Sequence, residues 1–116
     1  MPEVKRRFTR EERLKRRNEI REVFDKGKRT GCRGAKLFVL KNNLCRSRIC
    51  FTFSRGFGTA VERNRARRLG REAYRHLKPR LRCGYDLILL VYPEDSQTFA
   101  GRMEQLEYLF TRAGLL

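Results

Sequence analysis

SRGFGTAVERNRARRLGREAYR, residues 54–75, holds seven arginines in twenty-two positions and is preceded and followed by apolar runs. Thr59 with Glu62 three residues later has the spacing of a capping box, so a helix begins just after the Gly-containing loop. It is expected to run to Lys78, where Pro79 stops it. A helix at this position, between two strand-like segments, makes the chain an α+β protein rather than an all-helical or all-strand one.

The segment before it alternates: Cys45, Ser47, Ile49, Phe51 and Phe53 fall on one face, Arg46, Arg48, Cys50 and Thr52 on the other. That alternation predicts a half-buried antiparallel strand whose far face carries two arginines. After the helix, YDLILLVY at 85–92 is almost continuously apolar and is expected to be covered on both faces. KLFVLK at 36–41 reads as a further strand, turned by Asn42-Asn43. Nearer the N-terminus, Asn18 is the expected cap of a helix that buries Ile20, Val23 and Phe24 and ends at Gly27. At the other end, Ser96 is the expected cap of a last helix with Phe99, Met103, Leu106, Phe110 and Ala113 at helical spacing. The order is helix, two or three strands, helix, strand, helix: a single-domain α/β sandwich over residues 18–116. Residues 1–17, dense in charge and poor in apolar side chains, are expected to form a basic, mobile N-terminal arm.

The charge is extreme and uneven. The 116 residues carry 29 Lys and Arg against 13 Asp and Glu, a formal net charge of +16. Residues 1–36 hold 14 basic and 6 acidic side chains, residues 54–82 hold 10 and 2, and residues 83–116 only 2 and 5. Such a field draws polyanions, and its concentration in two segments argues for surfaces rather than general stickiness. No run is long enough for a membrane span and no apolar signal core begins the chain, so a cytoplasmic protein with no membrane partner is expected. The four cysteines, Cys32, Cys45, Cys50 and Cys83, lack paired metal-ligand spacing, and His76 stands alone. They are expected to be reduced and packed as small apolar residues, with no metal site. The loop at 54–58 lacks the Gly-Lys-Ser/Thr ending of a nucleotide-binding P-loop.

On a helical wheel Ala66, Leu69, Ala73 and Leu77 share one stripe, the face expected to meet the sheet. Asn64, Arg67, Arg68, Arg71, Arg75 and Lys78 gather opposite, with Arg63 and Tyr74 at one edge, Arg65 at the other, and only Glu72 diluting the charge. Arginines at 63, 67, 71 and 75 are stacked at i, i+4, where like charges repel by a few tenths of a kcal/mol per pair. Phosphates would relieve that repulsion, and the planar guanidinium binds them bidentately. Asn64 in the first turns adds a group able to reach a base edge or a sugar hydroxyl. Composition and spacing argue for RNA, and leave a ribosome-associated or general RNA-binding protein, and DNA binding, open. A protein nuclease would need a carboxylate cluster or a histidine-based acid–base pair, and neither is present.

The stretch 54–75 resembles the bacterial ribonuclease P protein component, with its short basic loop, Gly, Ala-Val, Arg-Asn-Arg, two further basic residues and Arg-Glu-Ala. LKRRNEIREVFDKGKR at 14–29, YDLILLVY at 85–92 and RAGLL at 112–116 are similar to the family's first helix, last strand and ending. The resemblance implies a ribosomal-protein-like fold with a left-handed βαβ crossover through the basic helix, against the usual hand. It implies a subunit that promotes endonucleolytic removal of the 5′ leader from precursor tRNA. Catalysis would then come from the RNA subunit with its bound Mg²⁺, with no catalytic side chain, organic cofactor or protein oligomer required. Arg63, Asn64, Arg65, Arg67, Arg68 and Arg71 would contact the catalytic RNA, and Ile20, Phe24, Phe38 and Arg55 would line a cleft for the leader. Two departures stand out: Ile20 takes the place of a common aromatic, and Gly56 that of a common lysine.

Overall fold

The computed structural model describes residues 10–93 and 98–116. A four-stranded sheet in the order β1-β2-β4-β3 lies between helices on both faces, with β1 at Lys28–Cys32, β2 at Ala35–Lys41, β3 at Arg48–Phe53 and β4 at Tyr85–Val91. The helices are α1 (Arg17–Lys26), α2 (Ala60–Leu77) and α3 (Phe99–Arg112). The α+β class and element order expected from the sequence are those observed.

Strand parity divides the core in two. Leu37, Leu87, Leu89, Ile49 and Phe51 face α2 and α3 and pack with Ala66, Ala73, Tyr74, Leu77, Leu106, Leu109 and Phe110. Phe38 and Ile88 face the other way and pack with Val23 of α1 and with Leu14. This is why 85–91 is apolar apart from Asp86: β4 is central and covered on both sides, as expected. β3 is not antiparallel as its alternation suggested; it pairs parallel to β4, from Arg48↔Asp86 to Phe53↔Val91. Alternation reports one covered face and not strand direction, and α2 is the crossover that a parallel pair requires. The strand is also shorter than the alternating run, and Cys45 lies exposed in the preceding loop.

The third strand before the basic helix is β1, KRTGC, which has no apolar alternation to announce it. It forms as a hairpin with β2 through Arg33-Gly34, with Gly34 at φ 87°, a backbone region that favours glycine.

Several boundaries move. The residue before α1 is Arg16, whose side chain makes no capping bond, so Asn18 is a helical residue rather than a cap. Of that helix's expected core residues Val23 is fully buried, Ile20 half-buried and Phe24 exposed. Thr98 caps α3 by accepting from the Gly101 amide at 3.0 Å; the expected cap Ser96 lies outside the described residues. Residues 1–9 of the expected arm also lie outside them. Residues 10–17 belong to the packed domain instead of an arm: Leu14 is 3 % exposed, its amide donates to the Ile49 carbonyl at 3.0 Å, and Glu12 accepts from Lys78 Nζ at 2.8 Å. A single buried leucine flanked by Arg13 and Lys15 is too sparse a signal for sequence periodicity to register. Cys83, like Cys45, is exposed rather than packed as a small apolar residue.

Candidate nucleic-acid interface

Both halves of the capping box are present. Thr59 Oγ1 accepts from the Glu62 amide and Glu62 Oε1 accepts from the Thr59 amide, each at 3.1 Å. Hydrogen bonding from Thr59, from its backbone N–H foremost and then from its side chain, holds the Glu62 carboxyl below its ordinary range. The only acid in the first turn is thereby committed to the helix, leaving the positive end of the helix dipole among the arginines.

Helix α2 is rotated slightly from the expected stripe. Its buried residues are Ala66, Gly70, Ala73, Tyr74 and Leu77, while Leu69 is half-buried and Tyr74 belongs to the core rather than to an edge. Gly70 explains the rotation: a Cβ there would meet Phe51 Cε1 at 2.7 Å, so the helix approaches β3 through its glycine.

The RNA-facing residues expected from the resemblance are placed as follows. Asn64, Arg65 and Arg68 are exposed, and Arg63, Arg67 and Arg71 are half-buried. Arg63 Nη1 donates to the Gly58 carbonyl at 2.6 Å, tying the helix start to its entry loop. Arg67 Nη1 donates to Asn64 Oδ1 at 2.9 Å, and its guanidinium lies 5.2 Å from the centre of the Phe53 ring. Asn64 is therefore held toward Arg67, with its amide NH₂ left to donate outward. Arg71 joins Arg13, Lys15 and Arg67 around a niche of about 170 Å³ at the β3 edge. Burial first, then Arg13 and Arg67, lowers the Arg71 guanidinium below its ordinary value. Clustered cations in a partly desolvated niche favour an anion there. Farther along the helix, Arg75 donates to Glu72 at 2.9 Å and Lys78 to Glu12, so the open cationic surface concentrates at the helix start.

The other expected surface lies across the sheet. Phe24 of α1 and Phe38 of β2 meet edge-to-face, centroids 4.8 Å apart. Phe24 is 38 % exposed whereas Phe38 is 6 % exposed, so Phe24 offers the open ring and Phe38 supports it from below. Ile20 packs beside them. Arg55 is exposed in the loop after β3, a separate element from the two that carry this pair.

One feature escaped sequence reasoning. Arg48, expected on an exposed face, is bonded twice to Asp86 and, through Nη1, to both carboxylate oxygens of Glu19 of α1, at 3.3 and 3.2 Å. Asn42 Nδ2 adds a 2.9 Å bond to Asp86 Oδ1. These bonds pin α1 to the sheet and so set the wall of the aromatic cleft. An acid inside an otherwise apolar strand was the available signal, since a carboxylate is buried only with partners.

A basic helix start on one side of the sheet and an exposed aromatic beside a helix on the other define the class: an α+β domain with two surfaces suited to a nucleic acid. The model for the ribonuclease P family matches residues 8–114. The ribonuclease P protein component of Symbiobacterium thermophilum is 39 % identical over 106 residues, which cover 90 % of this chain and 92 % of that one. That of Natranaerobius thermophilus is 43 % identical over 77 residues, 66 % and 67 % of the two chains. Among solved structures, the RNase P protein from Thermotoga maritima superposes with a TM-score of 0.77 at 28 % identity, covering 87 % of this chain and 96 % of that one. The Staphylococcus aureus protein, at 23 % identity and TM-score 0.81 over 90 % and 96 % of the chains, shares the fold. The chain belongs to the ribonuclease P protein family, whose members are subunits of a tRNA-processing ribonucleoprotein endoribonuclease. Among the described residues no helix is long and apolar enough to cross a membrane.

Proposed function

We propose that this chain binds the catalytic RNA through the start of α2 and the 5′ leader of precursor tRNA through the cleft beside α1. The observation that carries this reading is the separation of the two surfaces. The Arg63–Arg68 cluster belongs to a helix packed on one face of the sheet, and the Phe24–Phe38 pair lies on the other. A protein with two such faces can hold a structured RNA and a single strand at once. Phosphate contacts by arginine supply sequence-independent affinity for the first, and a ring in a basic setting accepts any base of the second.

In this reading the RNA subunit, with the Mg²⁺ it holds, supplies the hydrolysis. Among the described residues no group of three or more His, Cys, Asp or Glu is placed to hold a metal ion. The test is to add the purified chain to a bacterial ribonuclease P RNA at low Mg²⁺ with a leader-bearing precursor tRNA. Cleavage is expected to rise on addition of the protein. No rise, whatever the affinity for RNA, would overturn the reading.

A further inference from the structure

A second basic cleft lies at the β1 edge, away from the start of α2. It encloses about 600 Å³ where the first residues of β1, the last of β2 and the last turn of α3 come together. Lys28, Arg29, Lys41 and Arg112 line it, with Tyr85 and Lys26, and no carboxylate is among its lining residues. Lys26 is neutralised by Glu22 at 2.9 Å, and Arg112 lies over the Tyr108 ring at 5.7 Å. Lys28, Arg29 and Lys41 are all exposed. None of this charge is needed for packing, since β1 contributes little to either core.

Arg29 is shared between the rim of this cleft and the face that carries the aromatic pair. Arg29 is the cross-strand partner of Phe38, so both project on the α1 face of the sheet. Lys28, one residue earlier, projects on the opposite face beside Val39, and β1 is an edge strand of the sheet. A strand lying on Phe24 would leave the platform at Arg29 and pass round this edge toward Lys28 and Lys41. From these relationships the geometry points to a distal leader subsite: nucleotides upstream of those stacked at Phe24 are held by Lys28, Arg29 and Lys41 through their phosphates. The inference rests on the reading that the chain binds the leader. It adds a second contact that only longer leaders reach. Cationic side chains used in this way neutralise phosphates without reading bases, so affinity would depend on leader length and salt rather than sequence.

The experiment measures holoenzyme affinity for mature tRNA, for a precursor whose leader ends at the aromatic pair, and for one extended well upstream. The protein is the wild type or Lys28→Ala/Lys41→Ala. The wild type is expected to bind the long-leader precursor about tenfold more tightly than the short one, with a steeper salt dependence. The double variant is expected to lose that gain and bind the short-leader precursor like the wild type. Retention of the long-leader advantage in the variant would overturn the subsite, as would equal weakening for both precursors or no length advantage in the wild type. Failure of the underlying reading is separate: short-leader precursor and mature tRNA would then bind alike.

Discussion

Arg48 and Asp86 face each other across the parallel β3–β4 pair in a two-pronged bond, Nε to Oδ1 at 2.8 Å and Nη2 to Oδ2 at 2.7 Å. Both side chains are largely buried, at 16 % and 8 % exposure, and Glu19 extends the pair to α1. Removing one partner leaves a poorly compensated charge inside. Asp86→Ala is expected to cost about 3–5 kcal/mol of stability, read from denaturant unfolding. A loss below about 1 kcal/mol would show that Glu19 alone suffices.

The Phe24–Phe38 pair divides support from contact. Phe24→Ala is expected to weaken leader binding by roughly 1–3 kcal/mol, the worth of one stacked base, with little effect on stability. Phe38→Ala, at a buried position, should instead lower stability by about 3–5 kcal/mol through the cavity it leaves. Melting curves and the affinity ratio of precursor to mature tRNA separate the two outcomes.

Arg67→Ala/Arg68→Ala should weaken assembly with the RNA subunit. The slope of log affinity against log salt should fall by about one unit for each phosphate that the variant no longer neutralises. Leader discrimination, measured once assembly is forced by excess protein, should be unchanged.

Gly70→Ala sets helix propensity against packing. Propensity alone favours Ala by about 1 kcal/mol. The new Cβ, however, would lie 2.7 and 2.8 Å from the buried Phe51 ring. Overpacking of this kind costs about 1–3 kcal/mol, so the variant should be destabilised. A raised melting temperature would mean that β3 yields.

Tyr74 is 2 % exposed, and burial, with Glu12 contributing less, pushes its hydroxyl well above its ordinary value of 10.0. Because the folded value is raised, this contribution to stability is intact below pH 10 and is lost as pH rises, since the unfolded chain gives up the proton first. The slope is about 1.4 kcal/mol per pH unit for this one group. The stability difference between the wild type and Tyr74→Phe, followed from pH 9 upward, should shift against the wild type only above about pH 10.

What the sequence reveals depends on how local the cause is. The α2 cap is legible because Thr59 and Glu62 satisfy each other within one turn, and β4 is legible because a twice-covered strand is apolar almost throughout. The direction of β3 is not, because its alternation is the same whether the neighbour runs up or down. β1 is silent, being held by its hairpin rather than by side chains that bury. Charge and spacing mark out the cationic face of α2 but not which arginines of the chain are paired within the fold. Arg48 and Arg46 look alike in sequence, and only the fold brings Asp86, 38 residues on, to the first of them. Phe38 enters the cleft only through the family resemblance, and strand parity buries it beneath Phe24.

The short bridge between Arg13 and Ile49 has a consequence for solubility. A sheet of four strands has two free margins, and an unshielded margin recruits strands from other molecules. Here the N-terminal segment lies along the β3 margin, while β1 is five residues long and carries Lys28 and Arg29 on alternate faces. One margin is covered by chain and the other guarded by charge. Copies of the protein are thus kept from pairing with one another edge to edge.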